Sequence, residues 1–202
     1  MVDSADYRMA CMTEVSGRAS RNSERTRRAI LDAAARLLAE RGTAMSLADV
    51  AAAAKVSKSG LLHHFANRDE LILAVAQDIN EQFRNHVMRH LDLSENRPGK
   101  MLRAYVRALC GGETDAAEYL VSTTAWNGIR GVQGIADLMG EDRDWWDQQF
   151  TLDGMDPDIA HIVQRACEGI AAAAAFGDET PERMTRARNR LLAMTDSAPL
   201  TS

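Results

Sequence analysis

Between Arg25 and Leu71 three helix-length patterns follow one another, separated by breaks only long enough for tight turns. The first predicts a helix from about Ser23 to Arg41. Its residues Ile30, Ala33, Ala34, Leu37 and Leu38 recur at i, i+3, i+4, i+7 and i+8, one apolar stripe. Gly42 then offers a stop at positive φ. Ser46 and Asp49 have the spacing of a capping box, which opens a short helix burying Leu47, Val50 and Ala51 and ending near Ala54. Lys55 and Val56 make the turn, and the helix must stop so abruptly that Lys55 is expected in the left-handed conformation. Ser57 is an N-cap for a third helix, Lys58 to about His64, with Leu61 and Phe65 pointing back at the first two. Asn67 and Glu70 repeat the capping-box spacing and start a fourth helix.

Two short helices joined by a tight turn and packed on a third make a helix-turn-helix. Such a motif lays its second helix in the DNA major groove. On that helix Lys58, Ser59, Leu62 and His63 face outward by spacing. Lysine brings charge for phosphate, serine and histidine bring hydrogen bonds, and Gly60 lets the backbone approach closely. Ser46, Ser57 and Arg68 complete the candidate DNA-binding set. The competing reading is a plain three-helix bundle with a solvated basic face.

The stretch resembles the TetR-type one-component regulators. Ile30, Ala33, Ala34, Leu37, Leu38, Gly42, Leu47, Asp49, Val50, Ala51, Val56, Ser57, Leu61, His64, Phe65, Arg68, Glu70 and Leu71 carry the resemblance. It implies an all-helical fold, a homodimer, repression of transcription, and release from DNA when a small molecule binds the C-terminal domain. Two positions depart from the family pattern. The turn residue is commonly glycine and here is Lys55; a phosphate-touching tyrosine is usual where this chain has Leu62. Leu62 could instead touch a thymine methyl, or simply pack.

Abundant alanine, only four prolines and no clean period-two alternation favour an all-α fold across the 202 residues. The expected organisation is a flexible arm (1–22), a helix-turn-helix domain (23–68) and a larger helical effector-binding and dimerisation domain (69–202). The net charge of −5 is unevenly spread. Residues 18–68 hold ten lysines and arginines against four acids, whereas residues 69–202 hold thirteen against twenty-two. A basic module on an acidic body suits DNA contact at one end. Arg18 and Arg21 could follow the DNA backbone or enter its minor groove, or simply belong to a loose tail.

Cys11, Cys110 and Cys167 form no CxxC framework, which fits a reduced, cytoplasmic setting, and the last two read as small core residues rather than sensors. No apolar run approaches membrane length, and the first residues do not read as a signal peptide.

The fourth helix keeps apolar spacing from Leu71 through Leu91 and is expected to run from the DNA-binding module into the second domain. His86 and His90 have the spacing of a two-histidine metal grip, but an exposed polar face is the better reading. Further helices are expected at about 98–110, 114–126, within 127–140 and over Glu141 to Phe150. Acids in that last stretch read as helix capping rather than a metal site. Asp156-Pro157 and Thr180-Pro181 start two more helices, and Gly177 ends the first of them. Each has a stripe with little left to cover it, which suggests an intersubunit four-helix bundle.

Met101, Tyr105, Trp126, Met139, Trp145, Trp146 and Phe150 are the large adaptable residues of the second domain and its candidate ligand-binding set, although an ordinary core needs the same residue types. No cofactor is expected. No nucleophile–base pair, phosphate loop or metal constellation appears at a useful spacing, which speaks against an enzyme. A ligand-responsive regulator and a DNA-binding regulator without an effector remain.

Overall fold

A computed structural model of the chain describes residues 4–111 and 129–196. Eight α-helices are found among them: α1 (Ser4–Arg41), α2 (Leu47–Ala53), α3 (Lys58–His64), α4 (Arg68–Arg89), α5 (Lys100–Cys110), α6 (Ile135–Leu152), α7 (Pro157–Ala175) and α8 (Pro181–Thr195), with a single 3-10 turn at Gly42–Ala44. The chain divides after Val75 into two compact units. That is two turns into α4, later than the expected boundary at residue 68, because Leu71, Ile72 and Val75 are buried with the N-terminal core.

Residues 1–22 were expected as a flexible arm, yet α1 already begins at Ser4. Gly17, Ser20 and Asn22 do not break it. A glycine costs a helix about 1 kcal/mol, too little to stop one that is already propagating and meets no proline. In the N-terminal unit the α1 stripe is buried as its spacing requires, with Ile30 and Ala34 fully inaccessible. Val50, Leu61, Phe65 and Leu71 close the core against it. Leu47 is only half-buried, although its position at the start of α2 suggested burial.

The second unit is built around α5, which packs against α7 and α8, while α7 also packs against α6 and α8. Leu102, Val106 and Leu109 are inaccessible on it. The Tyr105 ring stands edge-on to Phe83, Trp146 and Phe150, with centroids 5.4, 4.9 and 5.7 Å away. Such pairs add about 0.5–1.5 kcal/mol each beyond their buried area. A short helix within 127–140 and a separate one from Glu141 were expected. Instead α6 runs through Gly140, because burial of Ile135, Trp146 and Phe150 along it outweighs one glycine. Asp156 and Thr180 cap α7 and α8 as their spacing requires, each with proline following. The helix expected over 114–126 lies outside the described residues.

His86 differs from the exposed residue expected. It is buried; its Nε2 lies 3.3 Å from the Ala108 carbonyl and its Nδ1 3.0 Å from an Arg89 guanidinium nitrogen. The cause is α5, which covers a helix face whose sequence alone looks polar.

Candidate nucleic-acid interface

Three local devices fix the turn and its two helices. At Ser46 both halves of the capping box form: Ser46 Oγ accepts from the Asp49 N–H at 3.2 Å, and Asp49 Oδ2 accepts from the Ser46 N–H at 3.1 Å. The Ser46 hydroxyl, donating to Asp49 Oδ2 at 2.7 Å, and then the Ser46 N–H hold the Asp49 carboxyl below its ordinary pKa. Lys55 has φ 57°, as expected, and it is the only non-glycine residue with positive φ among the described residues. The Lys55 N–H reaches the Ala52 carbonyl at 3.1 Å, and the Val56 N–H reaches the Ala51 carbonyl at 3.0 Å. This is a Schellman ending, whose left-handed residue is usually glycine. Ser57 Oγ then caps α3 by accepting from the Gly60 N–H at 3.0 Å. A Cβ on Gly60 would stand 3.1 Å from that same Oγ. The glycine therefore keeps room for the cap, a local reason beside any close approach to DNA.

One residue anchors α3: Leu61 is fully inaccessible. Around the rest of the helix Lys58, Ser59, Leu62 and His63 are exposed. Ser59 Oγ lies 3.0 Å from Ser57 Oγ, so part of its hydrogen-bonding capacity is used locally. Leu62 is 40% exposed, a large apolar side chain without cover among polar neighbours. His64 turns back toward the core. Burial, then the charges of His63 and Arg27, lower its pKa and favour the neutral ring.

Arg68 is placed differently from a free cation at the surface. Its Nε donates to the Met45 carbonyl at 3.2 Å, and the side chain is half-buried. It ties the start of α4 to the segment ahead of α2. Asn67 caps α4 through the Glu70 N–H at 2.8 Å, whereas the Glu70 carboxylate accepts from Ala66 rather than from the cap residue itself. The sequence reading missed Arg27. Its guanidinium lies 4.6 Å from the centroid of the Phe65 ring while the residue stays exposed, so a cation is held beside the end of α3. Arg27 falls three residues before Ile30, at the edge of the buried stripe, and that spacing was the available signal.

In the second unit the candidate ligand residues separate. Tyr105, Trp146 and Phe150 are core, each no more than 2% exposed. Met101, Met139 and Trp145 are half-buried. Trp145 lies under the Arg84 guanidinium at 4.2 Å, and Arg84 is itself paired with Asp142 at 2.6 Å. The Tyr105 hydroxyl donates to Glu168 at 2.8 Å. Trp126 lies outside the described residues.

Residues 30–75 match the model of bacterial regulatory proteins of the tetR family, and residues 99–196 match a tetracyclin repressor-like C-terminal domain. The chain belongs to the TetR family. It is thus in a family of transcriptional regulators rather than enzymes. Over 58 residues the chain is 47% identical to the HTH-type transcriptional repressor LfrR of Mycolicibacterium smegmatis, a match taking in 29% of this chain and 30% of that protein. The match to this TetR relative therefore spans about a third of the relative's length. A TetR-family regulator structure from Rhodococcus sp. superposes with TM-score 0.68 at 22% identity, over 86% of this chain and 98% of that one. The multidrug binding protein EbrR, complexed with malachite green, superposes with TM-score 0.63 at 25% identity, over 84% and 97%. As in other TetR folds, helix-turn-helix and helical C-terminal unit follow one another. No helix among the described residues is long and apolar enough to cross a membrane.

Proposed function

We propose that the protein is a sequence-specific DNA-binding transcriptional repressor, a homodimer released from its operator by a small-molecule ligand. The observation that carries this reading is the state of α3: anchored by Leu61, capped by Ser57, with Lys58, Ser59, Leu62 and His63 left exposed. A helix so held presents side chains at fixed spacing to a major groove. Lys58 supplies phosphate charge; Ser59 and His63 read base edges; Leu62 meets a thymine methyl. Ser46, Ser57 and Gly60 build the frame. Arg68 serves through the Met45 carbonyl, holding the start of α4 against the segment ahead of α2. Arg27 joins the phosphate contacts.

In the second unit the half-buried Met101, Met139 and Trp145 are the residues a ligand reaches first, with Tyr105, Trp146 and Phe150 forming the wall behind. The exposed Ile162 and Phe176, with the small side chains of Gly169 and Ala173, suit α7 to a second copy of the chain. The interlocked rings around Tyr105 favour a second reading, a DNA-binding regulator without an effector.

The test is a salt titration of binding to a selected operator and to a scrambled duplex. Lys58→Ala should weaken binding to both duplexes and lower the salt slope by about one unit. Should Lys58→Ala and His63→Ala both bind the two duplexes like the parent, α3 is not the reading helix. Malachite green, used as a probe of the second unit, separates the two readings: release of the operator supports an effector site.

A further inference from the structure

Arg84 stands on the part of α4 that belongs to the second unit, and Asp142 and Trp145 are three apart on one side of α6. The Arg84 guanidinium lies 4.2 Å from the centroid of the Trp145 ring. Its Nε and Nη2 both donate to Asp142 Oδ1, at 3.0 and 2.6 Å. A tie between two helices would be met by the ion pair alone. An indole face beside a carboxylate is what a planar cation needs, one to stack on and one to pair with. Here the chain supplies that cation itself. We propose that Trp145 and Asp142 are a subsite for an aromatic amidine or guanidine, and that Arg84 fills it when no ligand is bound. The proposal rests on the reading of the second unit as ligand-binding and names the class of ligand.

The cluster is reached from solvent. The Arg84 and Asp142 side chains are 32% and 16% exposed, and Trp145 is half-buried. A displaced Arg84 therefore returns to water, and an ion pair this exposed adds little to the fold. Arg103, at 1% exposure, could not be exchanged in this way.

The surroundings suit a ring that carries the charge. Leu138 is half-buried one turn before Asp142 on the same face of α6, and Trp146 stands edge-on to Trp145 at 4.7 Å. A flat aryl group covers more of this apolar surface than a guanidinium does, which is how a free ligand overcomes a cation already tethered to α4. Along α6, Asp137, Glu141, Asp142, Asp144 and Asp147 stand against a single arginine, Arg143, so the local field draws cations.

The test is a calorimetric titration of the full chain, without DNA, by benzamidine and by its uncharged analogue benzamide. Benzamidine should bind the tighter by about tenfold or more. Asp142→Asn and Trp145→Leu should each weaken benzamidine by a similar factor. Arg84→Ala should do the opposite and tighten it by about tenfold, because the internal competitor is gone. Should that variant fail to fold by circular dichroism, Arg84→Gln takes its place, keeping a stem and losing the charge. The proposal is overturned if removing the Arg84 charge leaves benzamidine binding unchanged or weaker, if benzamide binds as well, or if Asp142→Asn binds like the parent. Operator release by malachite green with benzamidine unbound would sink this site and leave the effector reading standing. Benzamidine bound as expected, with no ligand releasing the operator, would do the reverse.

Discussion

In the N-terminal unit the hydroxyls of Ser46 and Ser57 and the Asp49 carboxylate sit at helix ends near the surface. In the second unit a guanidinium, a phenol and an amide are turned inward. Arg103 is 1% exposed, with Nε on Glu95 at 2.6 Å and Nη1 on the Pro98 carbonyl at 2.9 Å. Glu95 also accepts from Arg107 at 2.6 Å. Gln164 is 2% exposed, and its Oε1 has no hydrogen-bond partner among the described residues. Local caps fix the shape of α2 and α3 while leaving a face of α3 free to bind. Inward polar groups depend on distant partners, and losing one strands the other in a medium of low dielectric.

The largest expected break in this contrast is Arg103→Ala. It removes the buried partner of Glu95 and the donor to the Pro98 carbonyl, and should cost about 3–5 kcal/mol in urea unfolding. The acid limb carries a signature of the same contact. Burial raises the Glu95 pKa, but the hydrogen bonds from Arg107 and Arg103 outweigh it and leave it lowered. A lowered carboxyl stabilises above its unfolded value of 4.5 and loses that contribution as pH falls through the folded one. Glu95→Gln should flatten that limb; an unchanged acid profile would show that the pair adds nothing.

On the open face the effect should fall on recognition rather than on folding. His63→Ala should leave the unfolding midpoint unchanged and lose about 1–3 kcal/mol of discrimination at one operator position. Competition between matched and mismatched duplexes measures it. A drop in stability instead would place His63 in the core.

Smaller again is Lys55→Gly. At φ 57° a side chain costs up to about 1 kcal/mol, so glycine should stabilise by no more than that, read as a higher urea midpoint. A lower midpoint would mean that backbone freedom in the unfolded chain outweighs the relieved strain.

The smallest concerns His64, on the inner side of α3. Its lowered pKa means that the folded state favours the neutral ring. That contribution is complete above the unfolded value of 6.5 and is lost as pH falls through it toward the folded value. His64→Gln should remove this slope, measured as urea midpoints above and below the free-histidine range.

The helix-turn-helix was legible because everything that shapes it is close along the chain. A cap joins residues three apart, as Ser57 and Gly60 do, and a Schellman ending closes within six, so spacing alone placed Ser46, Lys55, Ser57 and the limits of α3. The starts of α7 and α8 were readable for the same reason, from Asp156 and Thr180 with proline following.

What the tertiary structure decided lies where partners are remote. Helical periodicity separates apolar from polar faces but cannot say which polar face another helix will cover. His86 therefore looked exposed until α5 lay over it. Arg68 looked free for phosphate until the Met45 carbonyl came within reach. Burial and charge pairing are properties of surfaces brought together by the fold, and a one-dimensional pattern carries the period of each surface without its partner.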